Sequence, residues 1–269
     1  MKRNQNDIVL GTHGENYGTW MSAPAFYLMG GVAAASLGLG VAARFAWKKN
    51  ALSAIGFAGA GVSAAMLGWM AWTRKQYQFG AGGVMDKIQQ YIVDQIDWDG
   101  EGRLLEVGCG SGPLSIRCAL TWPTADVVGV DSWGVMWDSC YSKESCERNA
   151  ELEGVSGRCT FQKGDAAKLD FEDESFDVVV GNLVYHNIPM ADKQDLLRET
   201  LRVLKKGGIF MLQDSMNSYG GDIDAFVQEL QGDGYEEVRL VDAGTEIFGS
   251  DQKASLYFVG GLKALIGKK

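Results

Sequence analysis

The hydrophobic pattern changes character near residue 83. Before that point, residues 21–43 and 51–73 run for 23 positions each without a charged side chain or a polar stripe. As helices, both are long enough to cross a hydrocarbon layer of ~30 Å, whereas a helix of that length in a water-exposed fold should show a polar face. Small residues recur at four-residue spacing, at Gly31 and Ala35, Gly56 and Ala60, and Gly61 and Ala65, which lets helix backbones approach closely in lipid. Trp47, Trp69, Trp72 and Tyr77 fall near the ends of the runs, where interfacial aromatics sit. The pattern predicts two transmembrane helices forming a hairpin. The alternative is a pair of buried helices in a soluble fold, because both runs are rich in Gly and Ala. A cleaved signal peptide is disfavoured, since Lys2 and Arg3 lie far from the apolar run. The Gly-rich stretch 80–83 reads as a linker, so the expected division is an anchor over 1–83 and a second domain over 84–269.

Beyond the linker the period shortens. Met85, Ile88, Ile92 and Ile96 recur at helical spacing, and short apolar runs then alternate with helical ones. Strands are expected at 104–107, at 126–131, from 159 to a closing Asp165, and at 175–182. A helix follows over 196–204, then a fifth strand ending at Asp214, and two more at 237–241 and 254–259. Such alternation implies an α/β fold, a parallel sheet with helices on both faces and right-handed crossovers. Ligands of such sheets bind outside the carboxyl ends of the strands.

The first strand runs into the most informative segment, Glu106-Val107-Gly108-Cys109-Gly110-Ser111-Gly112-Pro113. Glycines at 108, 110 and 112 permit positive φ and close backbone approach to a ligand, and Pro113 suits the first helical turn. A dinucleotide fingerprint wants its third glycine at position 113 and a pyrophosphate at the helix N-terminus. Pro113 and the acid Glu106 both speak against that reading, and hence against a nicotinamide oxidoreductase. An acid two residues before the first glycine suits a ligand carrying an ammonium group instead.

This E-x-G-x-G-x-G run resembles motif I of the class I S-adenosylmethionine (SAM) methyltransferases. Four further segments extend the resemblance over roughly residues 84–262. The second strand ends at Asp131, about 19 residues past the last glycine, where a carboxylate accepts ribose hydroxyls. The others are Gly164-Asp165-Ala166, Gly181-Asn182 with Leu183-Val184-Tyr185-His186-Asn187, and Lys205-Lys206-Gly207-Gly208 before the fifth strand. The resemblance is to the quinone-biosynthesis-like, small-molecule branch. It implies a Rossmann-like seven-stranded sheet whose last strand pair is antiparallel, with SAM as cofactor. By the same resemblance Glu106 lies near the methionine ammonium through the glycine turn, and Asp131 holds the ribose, followed by Ser132 and Trp133. Asp165 and Ala166 border the adenine, and Asn182 closes the methionine end. Glu106 has a second reading, as a buried partner of turn N–H groups. Trp133, Trp137 and Tyr141 at four-residue spacing form either an aromatic lid over the ligand or a helix packed on the core.

Methyl transfer from a sulfonium needs chiefly alignment of acceptor, methyl and sulfur, and a base only where the acceptor must lose a proton. His186, just beyond the fourth strand, is the candidate base, unless it only fixes its loop. Tyr185 is grouped with it as catalytic, and Asp214 is a second-rank pocket residue.

Charge and cysteine content narrow the partners. The chain has 25 basic and 34 acidic residues, net −9. Residues 1–83 carry seven basic and two acidic side chains, which leaves the remainder near −14. So acidic a domain is a poor partner for nucleic acid, while the basic anchor suits anionic headgroups. Five cysteines without a C-x-x-C pair and only two histidines give no zinc signature. The odd count fits reduced thiols, and Cys109 reads as a small residue of the turn. The basic residues flanking the spans do not set an orientation; a cytosolic cofactor places the catalytic domain in the cytoplasm. The expected acceptor is a small apolar molecule such as a quinone-like phenol, a lipid or a thiol. The competing reading is a SAM-binding membrane sensor without catalysis.

Overall fold

The computed structural model describes residues 8–18, 23–80, 82–134, 141–189, 192–219 and 222–269. Within these, 8–18 and 79–269 form one compact unit and 23–78 a second. In chain order the elements are α1 (Ala23–Phe45), α2 (Asn50–Gln76), α3 (Val84–Asp94), β1 (Arg103–Val107), α4 (Pro113–Thr121), β2 (Asp126–Asp131), α5 (Lys143–Leu152), β3 (Cys159–Lys163) and β4 (Phe176–Asn182). There follow α6 (Gln194–Arg202), β5 (Leu204–Ser215), α7 (Ile223–Gly232), β6 (Glu236–Val241), α8 (Ala243–Phe248), α9 (Asp251–Ser255) and β7 (Leu262–Lys268).

The second unit pairs α1 with α2. Their contact is made by backbone: a Cβ added to Gly56 would fall 2.4 Å from the Gly40 nitrogen and 2.5 Å from its Cα. Gly31 and Gly61 have open space beside them, so of the three expected small-residue pairs only the one beginning at Gly56 has its glycine at the helix contact. Ser53, Ser63 and Thr73 are buried, while Tyr27, Leu28, Val32, Phe45, Ile55 and Val62 are exposed. Both helices are long and apolar enough to cross a membrane.

The sheet of the first unit has the order β3-β2-β1-β4-β5-β7-β6. β1 to β5 are parallel, and β7 runs antiparallel to both β5 and β6. This is the seven-stranded arrangement that the sequence led us to expect. Leu104, Leu105, Val107, Val178, Val179 and Val180 are all essentially inaccessible, as strands covered on both faces must be. Helix α6 buries Leu196, Leu197 and Leu201 in a core shared with Phe176, Phe210 and Phe226. The strand order reverses between β1 and β4, so the crevice for a ligand opens at their carboxyl ends.

Two expectations are corrected. Residues 254–259 were expected as a strand, but they close α9 and a turn, and the last strand lies at 262–268. Ser250 caps α9 by accepting the Lys253 N–H, and Phe258 at φ +61° leads into Gly260-Gly261. The capping signal thus outweighs the apolar run. The N-terminal boundary also moves, because residues 8–18 pack on the sheet unit rather than beginning the anchor. Leu10 is fully buried and Tyr17 nearly so; the Tyr17 ring packs on Phe79. The Ser111 hydroxyl donates to the Tyr17 carbonyl at 2.6 Å. The Asn149 amide donates to the carbonyls of Asn16 (3.1 Å) and Ser111 (3.0 Å).

Helix α3 is fastened to α4 by a buried ion pair. Arg117, 2% exposed, donates to Asp86 at 2.7 Å and to the Gln90 side chain at 3.0 Å. Burial pushes the guanidinium pKa down, and Asp86 opposes that shift. Asp86→Ala leaves the cation uncompensated and should cost about 3–5 kcal/mol in chemical denaturation. Adding Arg117→Met should recover most of the loss.

Candidate active site

Strand β1 ends in a turn that only glycine accommodates. Gly108, Gly110 and Gly112 have φ of +75°, +57° and +87°. A Cβ on Gly108 would stand 2.2 Å from the Val184 side chain, and one on Gly110 would stand 3.0 Å from the Tyr141 ring. The turn is tied to β2, since the Gly108 and Cys109 N–H groups both donate to the Val130 carbonyl (2.7 and 3.1 Å). Pro113 then opens α4.

Asp131 lies at the carboxyl end of β2, against this turn. It accepts the Gly110 N–H at 2.8 Å on one oxygen and the Trp133 N–H at 2.8 Å on the other. A carboxylate has about four acceptor positions, so two remain for a ligand's hydroxyls. Trp133, at φ +42°, donates its indole N–H to the Gly110 carbonyl at 2.8 Å, and Ser132 lies between it and Asp131. At the end of β3, the Gly164 N–H donates to the Asp131 carbonyl at 3.0 Å. That bond brings Asp165 and Ala166 to the same rim, with Asp165 exposed. Asn182 ends β4 opposite Gln213 of β5. The predicted cofactor residues therefore gather at one edge of the sheet. Trp137 lies outside the described residues, as does most of the segment expected as a lid.

Glu106 is the exception. Its carboxyl is buried and accepts the Ser115 hydroxyl in the first turn of α4. The buried-partner reading thus describes its geometry, with Ser115 in place of the turn's own N–H groups. Burial pushes its pKa up to about 8, aided by the Asp131 charge and opposed by Ser115. Burial also pushes up the thiols of Cys109, Cys118 and Cys159, which keeps them protonated and unsuited to nucleophilic work.

Tyr185 and His186 share one 3₁₀ turn but face different surroundings. Tyr185 is fully buried and its hydroxyl pairs with Thr200 of α6 at 3.1 Å, while burial pushes its pKa up. The expectation that it is catalytic is corrected to a role in the core. His186 is 29% exposed, and its Nδ1 is hydrogen-bonded to Asp214. Asp214, wholly buried at the end of β5, also accepts the His186 N–H (3.0 Å), the Ser215 N–H (2.6 Å) and the Tyr219 hydroxyl (3.1 Å). Such a carboxylate fixes the ring's orientation and leaves Nε2 for proton exchange with a bound molecule. His186 follows Val184, the residue packed on Gly108, so this pair lies beside the glycine turn. Tyr219 and residues 8–18 were missed in the sequence, where neither carries a local signal.

Fold and site together define a class I Rossmann-like methyltransferase architecture. Residues 105–212 match a family described as a methyltransferase domain. A sterol 24-C-methyltransferase of Aspergillus fumigatus is 33% identical over 122 residues, covering 45% of this chain and 30% of its own. A fatty-acid O-methyltransferase of Mycolicibacterium smegmatis is 35% identical over 135 residues, covering 49% and 44%. A geranyl diphosphate methyltransferase solved in complex with SAM superposes with a TM-score of 0.52 at 13% identity, over 70% of this chain and 90% of that one. A [4+2]-cyclase, SpnF, superposes with 0.53 at 20% identity, over 68% and 80%. The chain spans about half the length, or less, of these curated relatives. The match identifies a methyltransferase domain over residues 105–212 of this chain.

The raised pKa of Glu106 has a definite sign. The folded state holds this proton more tightly than the unfolded chain does. Its stabilising contribution is therefore complete below the ordinary carboxyl pKa, about 4.3, and is lost as pH rises toward about 8. Glu106→Gln should flatten the fall in thermal stability between pH 5 and 8 and be the more stable protein at pH 8.5.

Proposed function

We propose that this chain is a membrane-tethered SAM-dependent methyltransferase that methylates a small apolar acceptor after His186 removes the acceptor's proton. The observation that carries this is the His186–Asp214 pair beside the glycine turn. When bound, SAM supplies a methyl group already activated by its sulfonium. The residues present suit it: the glycines admit close approach, Asp131 retains acceptor positions for ribose hydroxyls, and Asp165 with Ala166 borders the adenine side.

The chain's own contribution is positional and basic. Asp214 accepts the Nδ1–H of His186, so the neutral ring presents Nε2 as the acceptor of a proton from an oxygen or sulfur nucleophile. Stabilising the imidazolium that results is the second effect of the buried carboxylate. Asp214 is a positioning residue, and Tyr219 and the Ser215 N–H hold it in turn. Relatives described as acting on sterols and fatty acids, together with the apolar exterior of α1 and α2, support a lipid-soluble acceptor. The hairpin is read as an anchor, with the sheet unit on the cytoplasmic face where SAM is made.

Incubating the purified chain with methyl-labelled SAM and total membrane lipids, followed by mass spectrometry, should yield a labelled apolar product. Saturable SAM binding without transfer to any extract would favour the sensor, and binding of NADH in its place would remove the family reading. His186→Ala should lower kcat by roughly 10²–10⁴ with SAM affinity nearly unchanged. Asp214→Asn should lower kcat less and displace the pH profile. In membranes, the chain should resist alkaline carbonate extraction, and deleting 19–78 should release it.

A further inference from the structure

Residues 8–18 run against the glycine turn and α5, and they carry a group of donors that the methyl-transfer reading does not use. His13 Nδ1 lies 3.4 Å from Glu15 Oε1 and 3.6 Å from Glu153 Oε2, and one ligand atom from each of the three residues lies within 4.8 Å of the others. Glu153 caps the C-terminal end of α5, so the group joins the segment to the helix.

Each carboxylate is divided in the same way. Glu153 uses Oε1 to accept the Gly11 N–H and the Tyr17 hydroxyl, both at 3.2 Å, and turns Oε2 to His13. Glu15 uses Oε2 to accept the His13 N–H at 2.8 Å and turns Oε1 to the ring. The Glu15 side chain is fully buried, and Oε1 has no hydrogen-bond partner among the described residues. An unpartnered buried carboxylate oxygen is costly, and its position beside a second carboxylate makes it costlier still.

A protonated His13 does not answer that need well. Charge-assisted N–H···O bonds lie near 2.7–2.9 Å, and both separations here are longer. Tetrahedral coordination with bonds of roughly 2.0–2.1 Å places ligand atoms about 3.4 Å apart, which is the spacing seen around His13 Nδ1. The Thr12 hydroxyl lies 3.3 Å from the same nitrogen, and the His13 side chain is 61% exposed, which provides an entry path and room for water as a fourth ligand. One imidazole and two carboxylates suit a borderline divalent cation such as Zn²⁺.

We propose that His13, Glu15 and Glu153 form a divalent-cation clip that fastens residues 8–18 to α5 beside the cofactor turn. The bound cation neutralises the two carboxylates. Because the Tyr17 carbonyl accepts from Ser111 and the Asn16 carbonyl from Asn149, ordering this segment also steadies the turn between Gly110 and Gly112.

The test uses the full chain in detergent, freed of metal and titrated with ZnCl₂. Calorimetry should show one equivalent bound, and hydrogen exchange should slow in the peptide covering residues 8–18. His13→Ala, at an exposed position that leaves the core intact, should weaken binding at least tenfold. Glu15→Gln, which keeps the shape and removes the charge, should do likewise, and both should abolish the slowed exchange. The proposal is overturned if the wild-type chain binds no Zn²⁺ at about 100 µM, if either variant binds as tightly as wild type, or if binding leaves exchange over 8–18 unchanged. None of these readouts depends on methyl transfer, so the clip and the proposed function fail separately.

Discussion

Passing from β1 into α4 through three left-handed residues is the constraint on which the rest of the site depends. Each of those positions excludes a side chain for its own reason. Gly108 is pressed against Val184 from the β4 loop and Gly110 lies beneath the Tyr141 ring. Gly112 adopts the left-handed conformation just before Pro113 opens the helix. The turn is thereby held from the β2 side by Asp131 and the Val130 carbonyl, and from the β4 side by Val184. Neither contact is available to a residue with a Cβ, so the backbone itself becomes the wall of the ligand crevice.

The same packing sets the His186–Asp214 pair beside the glycine turn. Val184 rests on the turn, and two residues later His186 is held by Asp214 from the end of β5. Parallel pairing of β4 with β5 sets Asn182 opposite Gln213, which brings the loop after β4 level with Asp214. The buried carboxylate is tolerated because four groups donate to it, an arrangement that offsets desolvation through fixed hydrogen bonds. A carboxylate so fully engaged has little freedom to reorient, and the ring bound to it inherits that rigidity.

Legibility in the sequence followed the range of the interactions. The glycine turn, Pro113 and Asp131 are specified by neighbours within about 20 positions, and their expected places match the structure. The parallel run of the first strands follows from local alternation, whereas the antiparallel last pair was expected only from the family resemblance. What the sequence concealed depends on partners far along the chain. Tyr185 and His186 are adjacent and similar in pattern, yet only the arrival of Thr200 and of Asp214 sends one to the core and the other to the crevice. Glu106 reads as a ligand residue in its motif, whereas its geometry is decided by Ser115. Residues 8–18 carry no helical or strand period, so their seat on Ser111 and Asn149 leaves no mark in the pattern. At 254–259 the opposite holds, since the local Ser250 cap, which accepts the Lys253 N–H, outweighs the apolar run that would favour a strand.

The hairpin inverts the usual distribution of polarity. In a water-soluble helix pair, apolar side chains fill the contact and polar ones face out. Between α1 and α2 the contact is made by Gly40 and Gly56, with Ser53, Ser63 and Thr73 buried, while Leu28, Val32, Ile55 and Val62 are exposed. Exposed apolar surface on this scale is unfavourable in water by about 25 cal/mol per Å², and backbone contact through glycine recovers little of it. In lipid the balance reverses, because the outer side chains lose nothing and close approach gains dispersion. The distribution of polarity in the two helices is thus the one that a hydrocarbon surrounding favours over water.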